Sequence, residues 1–193
     1  MLKIAIILGS TRPGRNGEAV AHWVLDLAQQ RTDATFELVD LADHHLPAID
    51  EPVPPARGVY THEHTKSWAR TIARYQGYVL VTPEYNHSAP GALKNALDRV
   101  HGEWANKAAG FVSYGVDGGV RAVEQLRLTL SALQIAHVTA QVSLSLWNDF
   151  ANFSEFTPAP HQQQALTTML DQLISWSAAL APLHTTADPV PAT

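Results

Sequence analysis

Ser10, Arg12, Arg15 and Asn16 stand among glycines at 9, 14 and 17 in the stretch GSTRPGRNG, between an apolar run and a helical pattern. One hydroxyl, two guanidinium groups, one amide and the free N–H groups of a helix start suit a compact dianion. Gly9 and Gly14 match the frame of a P-loop, but Arg15 and Asn16 occupy the places of its Lys and Ser/Thr, so the Mg²⁺ ligand is missing. A dinucleotide fingerprint fails too, because Thr11 stands where backbone must approach a pyrophosphate. A phosphate monoester, bound without metal, fits best. Two further clusters share this character: PEYNHSAPG, which includes Pro83, Glu84, Tyr85, Asn86 and His87, and SYGVDGG, which includes Ser113, Tyr114, Gly115, Gly118 and Gly119.

Each cluster follows a short apolar run, and the runs alternate with longer stretches of helical period. Strands are expected at KIAIIL (3–8), TFELVDL (35–41), GYVLVT (77–82), AAGFVSY (108–114) and AHVTAQVSL (136–144). Helices are expected near 17–30, over TKSWARTIARYQ, over PGALKNALDRV with Gly102 as its stop, along the Val123, Leu126, Leu130 and Leu133 stripe, and at 161–180. Such alternation specifies a doubly wound five-stranded parallel sheet of order 2-1-3-4-5, with helices on both faces. Ligands of these sheets bind beyond the strand ends at the switch point between strands one and three. The three clusters lie at those ends. Residues 1–181 form one expected domain, and 182–193 a loose tail.

Composition narrows the chemistry. The 193 residues carry a net charge of −5 and 46% apolar residues, so neither a nucleic acid nor a membrane is an expected partner. No signal peptide or membrane-span pattern is evident, and a cytoplasmic location is expected. With no cysteine, any redox chemistry must use a borrowed cofactor. The histidines His44, His45, His62 and His64 lack a third ligand and read as solvated loop residues, not as a metal site. Trp147, Phe150, Phe153 and Phe156 read as anchors for the loop after strand five, with a cover over the ligand as the second reading.

Together, GSTRPGRNG, PEYNHSAPGALKNALD and SYGVDGGVRA resemble the NADPH-dependent FMN reductase family from Leu2 to about Leu133. The resemblance implies a flavodoxin-like fold, FMN, and reduction of flavins, quinones, azo compounds or metal oxyanions by NADPH or NADH. It places the FMN phosphate on Ser10, Arg12, Asn16 and Gly17, with Gly9 and Arg15 in the same loop. Pro83 to His87 then border the isoalloxazine, and Ser113, Tyr114, Gly115, Gly118 and Gly119 line its other side. Hydride passes from nicotinamide to flavin N5 without a protein base, so no catalytic side chain is expected. One open flavin face, shared by donor and acceptor, implies ping-pong turnover.

Two other classes compete. An electron-transfer or flavin-carrying protein would use the same scaffold without its own nicotinamide turnover. A phosphoacceptor domain would need an Asp after strand three, where VTPEYN stands, and acids after strand one, where LGSTR stands. The small-molecule acceptor and the choice between NADPH and NADH stay open. A homodimer or dimer of dimers is expected, with the Pro-rich segment 42–64 walling the partner's site. Lys94, Asn95, Asp98 and His101 are expected to face outward, with Lys94 near a partner acid such as Asp98.

Overall fold

The computed structural model describes residues 1–185. Strands and helices alternate as β1 (Leu2–Leu8), α1 (Gly17–Ala28), β2 (Ala34–Asp40), α2 (Glu63–Ala73), β3 (Gly77–Pro83), α3 (Gly91–Asp98), β4 (Ala108–Gly115), α4 (Val120–Ala132) and β5 (Ala136–Ser145). A hairpin of β6 (Phe150–Ala151) and β7 (Glu155–Phe156) then leads into the long α5 (Pro160–Leu180). The five-stranded sheet is parallel throughout, in the order β2-β1-β3-β4-β5.

Two-residue alternation divides the strands between two cores. Ile4, Ile6, Leu8, Val79, Val81 and Val112 point to the α1 and α5 face, where Val20, Val24, Leu166, Leu170 and Leu173 cover them. Ala5, Ile7, Tyr78, Leu80 and Phe111 point the other way, against Trp68, Leu93, Leu97, Leu126 and Leu130 of α2, α3 and α4. Because both faces are covered, β1, β3 and β4 read as continuous apolar runs. Each buried large aliphatic side chain contributes about 1.5–3 kcal/mol. The strand ends carrying the three clusters are thereby held fixed at one edge of the layer.

Several helix ends are corrected, and contacts within the subunit add to the sequence reading. The second helix starts at Glu63 and stops at Ala73, and α3 ends at Asp98, so Gly102 lies beyond it in a turn. The 42–64 segment contains a 3-10 turn at Pro55–Arg57 and folds over its own subunit. Asn95 Nδ2 donates to the Leu46 and Pro47 carbonyls, at 3.1 and 2.9 Å, and buried Arg99 donates to Pro47 O, Asp50 and Thr65. Lys94 pairs with Asp98 of its own helix at 2.5 Å. Three of the loop histidines are partly packed: His64 contacts the Asp50 carboxylate at 3.0 Å, His62 stacks on His64, and His44 meets the edge of Trp68, whereas His45 is exposed as expected. A loose tail from Pro182 does not describe its first residues, since Ala181–Thr185 form a further 3-10 turn and His184 contacts Asn106 O at 2.8 Å. The remainder of that expectation lies outside the described residues.

Lys107, just before β4, caps the end of α2 by donating to Ile72 O and to the Tyr78 hydroxyl, each at 3.0 Å. Burial lowers its pKa from 10.5 to about 8. Between these values the unfolded chain binds a proton that the folded chain does not, so stability rises with pH. Denaturant titrations should therefore show wild type gaining stability from about pH 8 to pH 10 relative to Lys107→Met. A difference that is flat across this window would contradict the assignment.

Candidate functional site

The loop between β1 and α1 divides into exposed and braced residues. Thr11 to Gly14 are exposed, and the Arg12 side chain has no carboxylate partner among the described residues. Ser10 is fully buried, with Oγ 3.1 Å from the Tyr85 hydroxyl and 3.4 Å from the Arg12 N–H. Arg15 is turned into the fold. Its guanidinium, 7% exposed, donates to Ser10 O at 2.5 Å, to Asp40 at 2.5 Å and to Glu18 at 2.9 Å. Asn16 likewise commits its amide to Phe153 O at 2.8 Å. Both residues brace the loop, from β2 and from the β6–β7 hairpin respectively.

Gly17 opens α1 directly above Tyr114. A Cβ there would lie 2.6 Å from the Tyr114 hydroxyl, so only glycine permits this approach. Burial pushes the Tyr114 hydroxyl well above its ordinary pKa, and it stays protonated as a neutral support. The Tyr114 hydroxyl thus lies against the start of α1, beneath the loop after β1. The N–H groups of Glu18 and Ala19 at the start of α1 have no partner among the described residues.

Buried Pro83 ends β3, and the chain then makes a tight reversal. Tyr85 and Ser88 exchange backbone bonds of 2.8 and 3.0 Å, leaving Asn86 and His87 as a two-residue turn at φ 51° and 65°. Left-handed backbone costs a non-glycine residue about 1–2 kcal/mol and persists where its surroundings impose it. The exposed N–H groups of Asn86 and His87 have no partner among the described residues, whereas those of Glu84 and Tyr85 are used by Tyr114 O and Ser88 O. Of the four N–H groups in this loop, two remain as donors.

The loop after β4 closes on Gly115 O, which accepts from Gly118 N at 3.1 Å and from Leu146 N at 2.9 Å. Val116 and Asp117 form its exposed tip. Gly119, at φ 72°, has no room for a side chain, since a Cβ would lie 2.8 Å from Ser113 Cβ and 2.9 Å from Tyr114 N. Ser113 is buried and donates to Gly118 O at 2.7 Å, which shapes the turn. The Glu84 carboxylate accepts from Arg121 Nε at 2.5 Å and from the Arg121 N–H at 3.1 Å, while Arg121 also reaches Asp117 at 2.8 Å. This bridge joins the β3 and β4 loops and caps α4.

The exposed donors are thus Arg12 in the first loop and Tyr85, Asn86 and His87 in the second, with Val116 and Asp117 at the tip of the third. Sequence reasoning missed Thr11, Val116, Asp117 and Arg121, and only the adjacency of the last three to the glycines signalled them. A cleft of about 480 Å³, lined by residues including Thr11, His44, His45, Ala92 and Asn95, opens beside the first loop. Among the described residues no cluster suited to a metal ion is present, and no helix is long and apolar enough to cross a membrane. The donor set fits FMN: a free guanidinium and helix-start N–H groups suit its phosphate, and two unpartnered backbone donors suit a flavin carbonyl edge.

This parallel sheet of order 2-1-3-4-5, with three loops gathered at its switch point, is flavodoxin-like. Residues 2–149 match the NADPH-dependent FMN reductase family, and the chain belongs to that family. It is 46% identical over 136 residues to an NAD(P)H-dependent FMN reductase of Nectria sp, covering 67% of this chain and 68% of that protein. A Schizosaccharomyces pombe protein of the same description is 41% identical over 149 residues, covering 76% and 74%. Among solved structures, the Paracoccus denitrificans flavoenzyme NAD(P)H:(acceptor) oxidoreductase superposes with a TM-score of 0.73 at 22% identity, covering 93% of this chain and 98% of that one.

Proposed function

We propose that this chain is an FMN-dependent NAD(P)H oxidoreductase that reduces a small planar acceptor, such as a quinone, in two half-reactions at one flavin face. The observation that carries this reading is the hydrogen bond between Ser10 Oγ and the Tyr85 hydroxyl, which locks the anion loop to the ring-bordering turn. When bound, FMN would accept hydride at N5 and pass it to the acceptor. The protein's task is then placement and electrostatics. Arg12 and the α1 N-terminus hold the phosphate dianion. Asn86 and His87 offer N–H donors to the edge of the flavin where negative charge collects on reduction. Buried Ser113 and Tyr114, with the Glu84–Arg121 pair, keep those donors in register.

Arg12→Ala should weaken FMN while leaving riboflavin almost unchanged. Losing one charge-assisted contact costs about 1.5–3 kcal/mol, or roughly tenfold to a hundredfold in affinity. Fluorescence titration with both flavins tests this, and equal losses would remove Arg12 from the phosphate site.

A homodimer or dimer of dimers is part of the same proposal. The 42–64 arm is pinned to its own subunit, yet Ile49 is 48% exposed and Val59 55% exposed upon it, leaving apolar surface for a second copy. Light scattering at assay concentration should give at least twice the chain mass, and a fully active monomer would reject the dimer.

A further inference from the structure

Trp147 and Phe153 are exposed aromatic residues whose backbones are hydrogen-bonded into the surrounding loops. Trp147 is 67% exposed and Phe153 48% exposed, and their rings meet edge to face at 4.6 Å. Phe153 and Asn152 adopt φ of 61° and 51°, a conformation unfavourable for an aromatic residue. The buried Asp149 carboxylate organises the loop beneath, accepting from Ser145 N at 2.8 Å, Ala159 N at 2.9 Å and Gln162 Nε2 at 3.2 Å. The pair is also wired to two of the site loops. Asn16 of the anion loop donates to Phe153 O at 2.8 Å, and Ser145 Oγ accepts from Trp147 N and donates to Val116 O, both at 3.2 Å. The neighbouring Phe150 and Phe156 instead pack inward, Phe156 against Trp23, so anchoring and exposure are divided between the two pairs.

We propose that Trp147 and Phe153 form a stacking platform for the adenine ring of the NAD(P)H co-substrate; this rests on the proposed function. Nicotinamide and acceptor must both reach the flavin between the β3 and β4 loops. The platform follows β5, two strands from β3 and therefore about 10 Å away at ordinary strand spacing. A small acceptor held at the flavin does not span that distance. A dinucleotide does, because its second ring lies on the far side of a pyrophosphate. Adenine stacks on aromatic faces as nucleic-acid bases do.

The test compares NADPH with reduced nicotinamide mononucleotide, which carries no adenine, in wild type, Trp147→Leu and Phe153→Asn. Both positions are exposed, and asparagine tolerates the left-handed backbone at 153. The expected result is a KM for NADPH raised roughly tenfold in each variant, an unchanged KM for the mononucleotide and an unchanged FMN affinity. Independently of turnover, adenosine 2′,5′-bisphosphate should quench tryptophan fluorescence in wild type and lose that quenching in Trp147→Leu. Equal changes with both donors, a shifted FMN affinity, or unchanged KM values with no quenching would each overturn the platform. Wild type that oxidises neither donor would refute the proposed function, and the quenching arm would still decide the platform.

Discussion

Gly119→Ala is expected to be the most damaging single-methyl change in the site. The new Cβ would enter space held by buried Ser113 and the Tyr114 backbone, at 2.8–3.0 Å. Left-handed backbone adds about 1–2 kcal/mol for alanine, and overpacking a tight site a further 1–3 kcal/mol. The summed loss of about 2–5 kcal/mol corresponds to a Tm lower by roughly 4–20 °C for a chain of this size. In the proposed function the β4 loop borders the ring and not the phosphate, so riboflavin and FMN should weaken alike, at least tenfold by titration. Wild-type stability with intact flavin affinity would show that the loop is not as tightly fixed as its contacts require.

Arg15→Ala is expected to act through the fold of the anion loop. The guanidinium is 7% exposed and holds the Ser10 carbonyl while pairing with Asp40, itself 17% exposed. Removing one partner of a largely buried pair typically costs about 3–5 kcal/mol, because the other charge is left behind. Urea titration should show that loss, and Arg15→Ala/Asp40→Asn should recover part of it. Lysine should not rescue well, since a single ammonium cannot reproduce the planar fork of donors. If Arg15→Ala instead leaves stability unchanged and selectively weakens FMN over riboflavin, Arg15 contacts the phosphate directly and is not a brace.

These two residues show where sequence reasoning stops. Continuous apolar runs such as IAIIL expose a strand covered on both faces, and the glycine clusters at the strand ends reveal where a ligand must bind. The order of the strands is legible for the same reason. Pairing across the chain is not: Arg15 and Asp40 are 25 positions apart, Asn16 and Phe153 are 137 apart, and neither spacing has a local signature. Arg15 and Asn16 thus read as anion donors until their partners are seen. Glu84 and Arg121 show the same limit, since their pairing depends on how the β3 and β4 loops meet. The Pro-rich arm carries no periodicity, and its course over its own subunit is set by Asn95 and Arg99, whose roles no motif announces. Among the aromatics after β5, composition cannot separate the inward Phe150 and Phe156 from the outward Trp147 and Phe153.

The most direct measurement is a flavin titration followed by anaerobic addition of NADPH. The purified protein should bind FMN at one per chain, quench its fluorescence, lose the oxidised-flavin absorbance when NADPH is added, and regain it when a quinone follows. A protein that neither quenches FMN fluorescence nor consumes NAD(P)H in the presence of a quinone would contradict the account at its centre.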